Sequence, residues 1–183
     1  MEQIVQLNSK ANLSEHFLLG EFTRSKYPEV YNIPSHEAIA NLKRICTWLE
    51  VLRKRYNELI SSTPGPSSEG GEFPALMKGG DRGGMDETRS QPIIINSGYR
   101  SPQLNRKVGG APTSNHLTGC AVDIRTSGYE QAIVYAAILI DYAKESNQDY
   151  DELLIEKNRY GAVWLHFAVR PKDNRRKVAF IIV

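Results

Sequence analysis

His116 and Asp123 stand seven positions apart in the stretch Asn96 to Arg125, NSGYRSPQLNRKVGGAPTSNHLTGCAVDIR, with Gly119 between them. A second histidine, His166, follows inside the apolar segment AVWLHFAV. Two imidazoles and one carboxylate are a common set for holding a catalytic zinc while one coordination position stays open for water. Chemistry of that kind would make the protein a hydrolase. The other reading of the same residues is a turn and two strand polars. Cys120, near His116, is an alternative soft ligand.

The surrounding pattern says which elements must carry these side chains. In AVDIR (121–125), alternation puts Val122 and Ile124 on one face and Asp123 on the other. A carboxylate facing inward from a strand is costly unless it is paired or bound to a metal. In AVWLHFAV (162–169), Trp164, His166 and Ala168 share a face, and Val163, Leu165 and Phe167 take the opposite one. His116 falls at the end of a loop punctuated by Gly98, Gly109, Gly110, Pro112 and Gly119. Loops held by a rigid sheet are where reacting groups are usually placed.

PIIIN (92–96), ELLIE (152–156) and KVAFIIV (177–183) predict further strands, with turns at 158–161 and 171–175. Ala38, Leu42, Ile45, Leu49, Leu52, Tyr56 and Leu59 form one helical stripe, with Ser35 as its N-cap and Glu37 in its first turn. A second helix is expected over 129–144. Strands grouped after helices with short turns predict an α+β fold, a central antiparallel sheet with helices packed on it.

A chain of 183 residues suits one domain, 1–183, with a Gly/Ser/Pro-rich flexible insertion at about 61–91. The formal charge of +2 is too weak to suggest nucleic acid, and RPKDNRRK near the end reads as a solvated turn between strands. Cys46 and Cys120 read as two buried thiols rather than a disulfide. No run of about 18 apolar residues exists, so no membrane span is expected. The start, MEQIVQLNSKANLSEHF, lacks the pattern of a signal peptide. In the lead segment 12–33, Ser14 caps a turn, Phe22 and Tyr31 are expected to pack onto the domain, and His16 to serve at the surface.

SGYRSPQLN, SNHLTGCAVDI and WLHFAV resemble the signature of the zinc D-alanyl-D-alanine carboxypeptidase family, over residues 92–169. The lead NLSEHFLLGEF resembles the start of a phage and bacterial branch of it. That family contains peptidoglycan carboxypeptidases, dipeptidases and phage endolysins, and shares its zinc fold with the Hedgehog signalling domain. The resemblance implies His116, Asp123 and His166 as zinc ligands, and Arg100 as the arginine that steadies the substrate's carbonyl or carboxylate. An arginine suits that task because its planar fork stays charged. Tyr99, Asn105 and Ser114 would line the approach; equally, each could fix a loop by local hydrogen bonds.

Many members place an acid just before the last zinc histidine. Here Ala162, Val163, Trp164 and Leu165 occupy those places. Glu156 is the nearest upstream carboxylate and the candidate general base, provided the turn at 158–161 brings it beside His166; Glu152 and Asp151 are the runners-up. The implied function is zinc-dependent hydrolysis of an amide in peptidoglycan stem peptides, by a DD-carboxypeptidase or an endolysin-type endopeptidase. Such an enzyme would be a monomer, made in the cytoplasm and acting at the cell wall after release, as a phage or prophage lysin does. The alternative is a non-catalytic, zinc-stabilised module that binds cell wall or protein.

Overall fold

Strands with apolar residues at every second place build a sheet with two unlike faces. The structure is a computed structural model that describes residues 9–62 and 90–183. The insertion expected at about 61–91 lies outside the described residues except at its ends. Five strands pair in the order β1-β2-β4-β3-β5: β1 (Ile95–Ser97), β2 (Ala121–Arg125), β3 (Glu152–Lys157), β4 (Val163–Ala168) and β5 (Lys177–Ile182). Among the described residues four α-helices accompany them: α1 (Leu19–Thr23), α2 (His36–Ser62), α3 (Pro102–Lys107) and α4 (Tyr129–Ser146).

One sheet face carries Val122, Ile124, Leu153, Leu165 and Phe167, all fully buried. α2 covers it with Leu42, Ile45, Trp48, Leu49 and Leu52, and α4 with Tyr135 and Leu139. Each such large apolar side chain contributes roughly 1.5–3 kcal/mol on burial. Trp48 sits at the centre, its ring 4.8 Å from that of Tyr142 and 5.3 Å from that of Phe167. α2 begins as its sequence predicts, with the Ser35 hydroxyl accepting from the Ala38 amide at 3.1 Å. Its stripe leaves the core at the C-terminal end, where Tyr56 is half-buried and Leu59 exposed.

The α+β class holds, with one correction to the all-antiparallel sheet. β1, β2, β4 and β3 pair antiparallel, but β5 runs parallel to β3. The reason lies in β4, whose two sides are already taken by β2 and β3. The chain reverses after β4 and finds its free edge beyond β3, where it points the same way as β3.

Three smaller expectations shift. The first strand is shorter than 92–96 and starts later, at Ile95–Ser97, and its pairing with β2 slips between Ile95 and Ser97. Phe22 is buried, but Tyr31 is 80% exposed. Asn32 turns inward instead, its side-chain amide donating to the carbonyls of Thr23 and Tyr99, both at 2.9 Å. The basic run near the end is an ion-paired turn. Arg170 and Arg175 meet Asp151, Arg175 and Lys177 meet Glu152, and Arg176 meets Asp149. Both cysteines are free buried thiols, and burial pushes Cys46 up to about 12. Among the described residues, no helix is long and apolar enough to cross a membrane.

Candidate metal centre

The sheet face turned away from α2 and α4 carries the polar residues that alternation assigned to it. Asp123 on β2 is directly opposite His166 on β4, which is opposite Leu154 on β3. His116 reaches the same place from a 3-10 turn, Asn115–Thr118. His116, Asp123 and His166 offer ligand atoms that all lie within 4.8 Å of one another, and all three side chains are buried.

Each donor is aimed. His116 Nδ1 lies 2.6 Å from the Gly98 carbonyl. A carbonyl only accepts, so Nδ1 carries the proton and Nε2 presents its lone pair to the centre. Asp123 Oδ1 faces His116 Nε2 at 3.3 Å and His166 Nδ1 at 2.9 Å. Its other oxygen, Oδ2, accepts from Arg100 at 2.6 Å. One carboxylate oxygen is anchored and the other faces the two imidazoles.

The loops that deliver these side chains are braced from several sides. The Ser114 hydroxyl accepts from the His116 amide at 3.3 Å and caps the turn. Gly119 ends it at φ 71°, and a Cβ there would come within 2.5 Å of the Ala38 carbonyl oxygen, so only glycine lets α2 approach. Asn41 on α2 donates to the Thr118 carbonyl at 2.9 Å. Gly98 is held close by α1, where a Cβ would meet that of Phe22 at 2.7 Å. The Arg100 amide donates to the His116 carbonyl at 3.0 Å, tying the two loops together.

Electrostatics follow from burial and from the partners. Burial lowers His116, favouring the neutral imidazole that a metal requires. Burial would raise Asp123, but His116 and His166 outweigh it and hold the carboxyl well below the usual range. Burial would likewise lower His166, yet Asp123 and Glu152 push it up to about 9. A cation at the centre would take the place of that proton.

Two glutamates flank His166 diagonally. Glu156 pairs with Trp164, and Glu152 pairs with Ala168, each two residues along from His166 on the same face. Diagonal neighbours of this kind sit roughly 7–8 Å apart at the backbone, within reach of long side chains. Glu152 Oε2 is 3.6 Å from His166 Nε2, an ion-pair distance. Glu152 also meets Arg175 at 3.0 Å, and Asn115 donates to it at 3.1 Å. His166, followed by Arg175 and Lys177, holds it down to about 2 against the effect of burial. Glu156 makes no ion pair among the described residues, and burial pushes its carboxyl above 4.5.

The structure thus brings His116, Asp123, His166 and Arg100 together, with Glu156 on the same face. Three other candidates are taken up by the fold around them. Asn105 is buried and donates to the Gly110 and Ala111 carbonyls at 3.1 and 2.9 Å. Ser114 caps the 3-10 turn, and Tyr99 belongs to the hydrophobic core. Cys120 is not among the three clustered ligands, and His16 lies elsewhere, 2.8 Å from Glu50 of α2. Asn32 escaped the sequence reading. It fixes the Arg100 loop by accepting from the Ser101 amide at 2.7 Å while donating to the Tyr99 carbonyl. No sequence signal marks it, since an asparagine after Tyr31 reads as an ordinary loop polar.

The donor set fits zinc, with two imidazole nitrogens, one carboxylate oxygen, a fixed tautomer and an arginine behind the carboxylate. No curated protein matches the chain. Residues 83–148 match the sequence model of the family Peptidase M15, a stretch that holds Arg100, His116 and Asp123 and stops short of Glu156 and His166. That match makes this stretch of the chain similar to M15 peptidases, and with the His–Asp–His cluster it supports reading the chain as a peptidase with a candidate metal site.

Proposed function

We propose that the chain is a single zinc peptidase domain that hydrolyses an amide bond in peptidoglycan stem peptides, as a DD-carboxypeptidase or an endolysin-type endopeptidase. The observation that carries the reading is Glu156. It supplies a carboxylate diagonal to His166, on the ligand face, where the four residues before His166 offer none. Its position weighs against a non-catalytic module.

His116 Nε2, Asp123 Oδ1 and His166 Nδ1 would hold the zinc. When bound, zinc supplies a Lewis acid that polarises a carbonyl and brings a coordinated water's pKa to about 7. Glu156 takes a proton as the water oxygen bonds to the scissile carbonyl carbon. It returns that proton to the leaving nitrogen as the C–N bond breaks, giving an amine and a carboxylic acid, which then releases its own proton to the solvent. A carboxyl raised above its ordinary value suits both halves of this exchange, since proton transfer is most effective with a pKa near the working pH. Arg100 holds Asp123 Oδ2 and places positive charge beside the oxygen that becomes negative. Ser97 orients the guanidinium by accepting from Arg100 Nε at 2.9 Å.

The test uses zinc-loaded protein and purified cell-wall sacculi, with and without a chelator. New free amino groups are expected only in the chelator-free arm. Binding to sacculi with no amine released in either arm would sink the peptidase reading.

A further inference from the structure

Beside Arg100, on the β1 side of the metal centre, lies a cavity of about 540 Å³. Three cations line it, Arg24, Lys26 and Arg100, and among the described residues no carboxylate does. Its remaining wall includes Tyr27, Leu104 and Val108, which give it an apolar side. Arg24 and Lys26 make no ion pair among the described residues. Arg24 donates to the Ile95 carbonyl, and the Lys26 ammonium lies 5.3 Å from the Tyr27 ring centroid. By contrast the neighbouring Lys107, also beside Tyr27, is neutralised by Glu29 at 2.7 Å. Arg100 is neutralised by Asp123, which leaves Arg24 and Lys26 as two grouped cations without an ion-pair partner among the described residues, and such a pair raises the local concentration of anions.

We propose that this cavity is a substrate subsite in which Arg24 and Lys26 bind a carboxylate carried by the peptide, on the β1 side of the scissile bond. The inference rests on the peptidase reading and adds the substrate class, an anionic peptide. Arg100 stands between the two sites, one side on Asp123 and the other lining the cavity. A peptide with its scissile carbonyl at the metal centre would lay its next acidic group against Lys26 and Arg24. Tyr27, Leu104 and Val108 would pack on the aliphatic part of the same residue.

The experiment compares two synthetic stem peptides, identical except that the carboxylates outside the scissile bond are free in one and amidated in the other. Cleavage is followed with zinc-loaded wild type, Lys26→Gln, Lys26→Arg and Arg24→Gln. Wild type should prefer the free acid. Lys26→Gln should cut that preference about tenfold, the size of one charge-assisted contact, and Lys26→Arg should restore it. The loss should fall on KM. Lys26 is exposed and makes no backbone hydrogen bond, so its variants test the cavity even if Arg24→Gln disturbs β1 through Ile95. Undiminished preference in Lys26→Gln overturns the proposal. If wild type cleaves neither peptide, the peptidase reading fails separately. Calorimetric titration of both peptides then decides the subsite, with equal affinity for acid and amide overturning it and tighter binding of the acid, lost in Lys26→Gln, upholding it.

Discussion

The two ends of β3 carry the same residue type on the same face and hold it in opposite electrostatic settings. At one end Glu152 is surrounded by His166, Arg175, Lys177 and Asn115 and held down to about 2. At the other end Glu156 is half-buried, makes no ion pair among the described residues, and is pushed up from 4.5. A carboxyl held that low is a fixed anion and a poor proton carrier; one raised by burial exchanges protons readily. The contrast shows that identity and spacing along a strand do not assign a role. The counter-charges around the carboxylate do, and His166 first, then Arg175 and Lys177 from the chain after β4, gather at the Glu152 end.

The sharpest way to break this contrast is to remove each carboxylate in turn. Glu156→Gln keeps shape and polarity but cannot carry a proton. We expect kcat to fall about a thousandfold, roughly 4 kcal/mol, with zinc content unchanged. Turnover within tenfold of wild type, with zinc quantified in the same samples, would place the base elsewhere and dissolve the distinction between the two ends.

The second largest effect belongs to Asp151, which anchors the Glu152 end. Its fully buried carboxylate accepts from Asn115 at 2.8 Å and from Arg175 Nη2 at 2.7 Å, and also binds Arg170. Asp151→Asn should cost about 2–3 kcal/mol by denaturant unfolding, below the roughly 3–5 kcal/mol of a fully buried broken pair because Arg175 is half-exposed. The sign with pH follows from its lowered pKa. Burial opposes the shift, but Arg175, Arg170 and Asn115 together hold the folded carboxyl below 3.8. The folded state therefore binds fewer protons than the unfolded chain. The stabilisation is complete above about 3.8 and is lost as pH falls towards the folded value. The variant's stability should fall less steeply in that acid window, and an unchanged acid limb would remove Asp151 from the account.

The ligand side of this arrangement was legible in the chain. Alternation in AVDIR and AVWLHFAV puts Asp123 and His166 on one face, and their direct pairing across β2 and β4 follows once the strands are neighbours. The position of Glu156 was legible for a similar reason, because the turn at 158–161 sets the register of β3 on β4. There Asn158 Oδ1 accepts from the Tyr160 and Ala162 amides at 2.9 and 3.0 Å, and Gly161 takes φ 87°. What alternation could not reveal was which glutamate is free. That depends on which glutamate His166 Nε2 faces, and on Arg175 and Lys177, which arrive only because β5 docks parallel on the far side of β3. Strand order is a long-range choice with little local signature. The pinning of the Arg100 loop by Asn32 is hidden for the same reason, since its partners lie nearly seventy positions away.

The third effect is on metal affinity. Glu152 faces His166 Nε2, the nitrogen turned away from Asp123. A carboxylate in that place fixes the ring and raises the basicity of the ligating nitrogen, and losing such a partner typically costs 10–100-fold in affinity. Glu152→Gln should therefore weaken zinc binding by about that factor in a competition titration. At saturating zinc it should retain far more turnover than Glu156→Gln. Equal kcat losses in the two variants, both fully loaded, would show that the ends of β3 are not specialised.

The smallest effect is a stability change at Glu156 itself. Burial raises its pKa in the folded protein, so the folded state binds more protons than the unfolded chain there. The sign is opposite to that of Asp151. Folding is penalised at pH values above the raised pKa, and the penalty vanishes as pH falls below the ordinary 4.5. Glu156→Gln removes the charge, so it should melt slightly above wild type at neutral pH, with the gap closing as the pH is lowered through the raised value. Glu152→Gln should show the reverse, a deficit at neutral pH, because it deletes the partner of three cationic or ionisable groups. Melting curves of both variants and wild type across that range measure this directly. A residue whose removal improves the fold while abolishing turnover is held where it is against the interest of stability, which is expected of a group kept for chemistry. If Glu156→Gln is instead destabilised at every pH, Glu156 is a structural carboxylate like Glu152, and the general base must be sought outside β3.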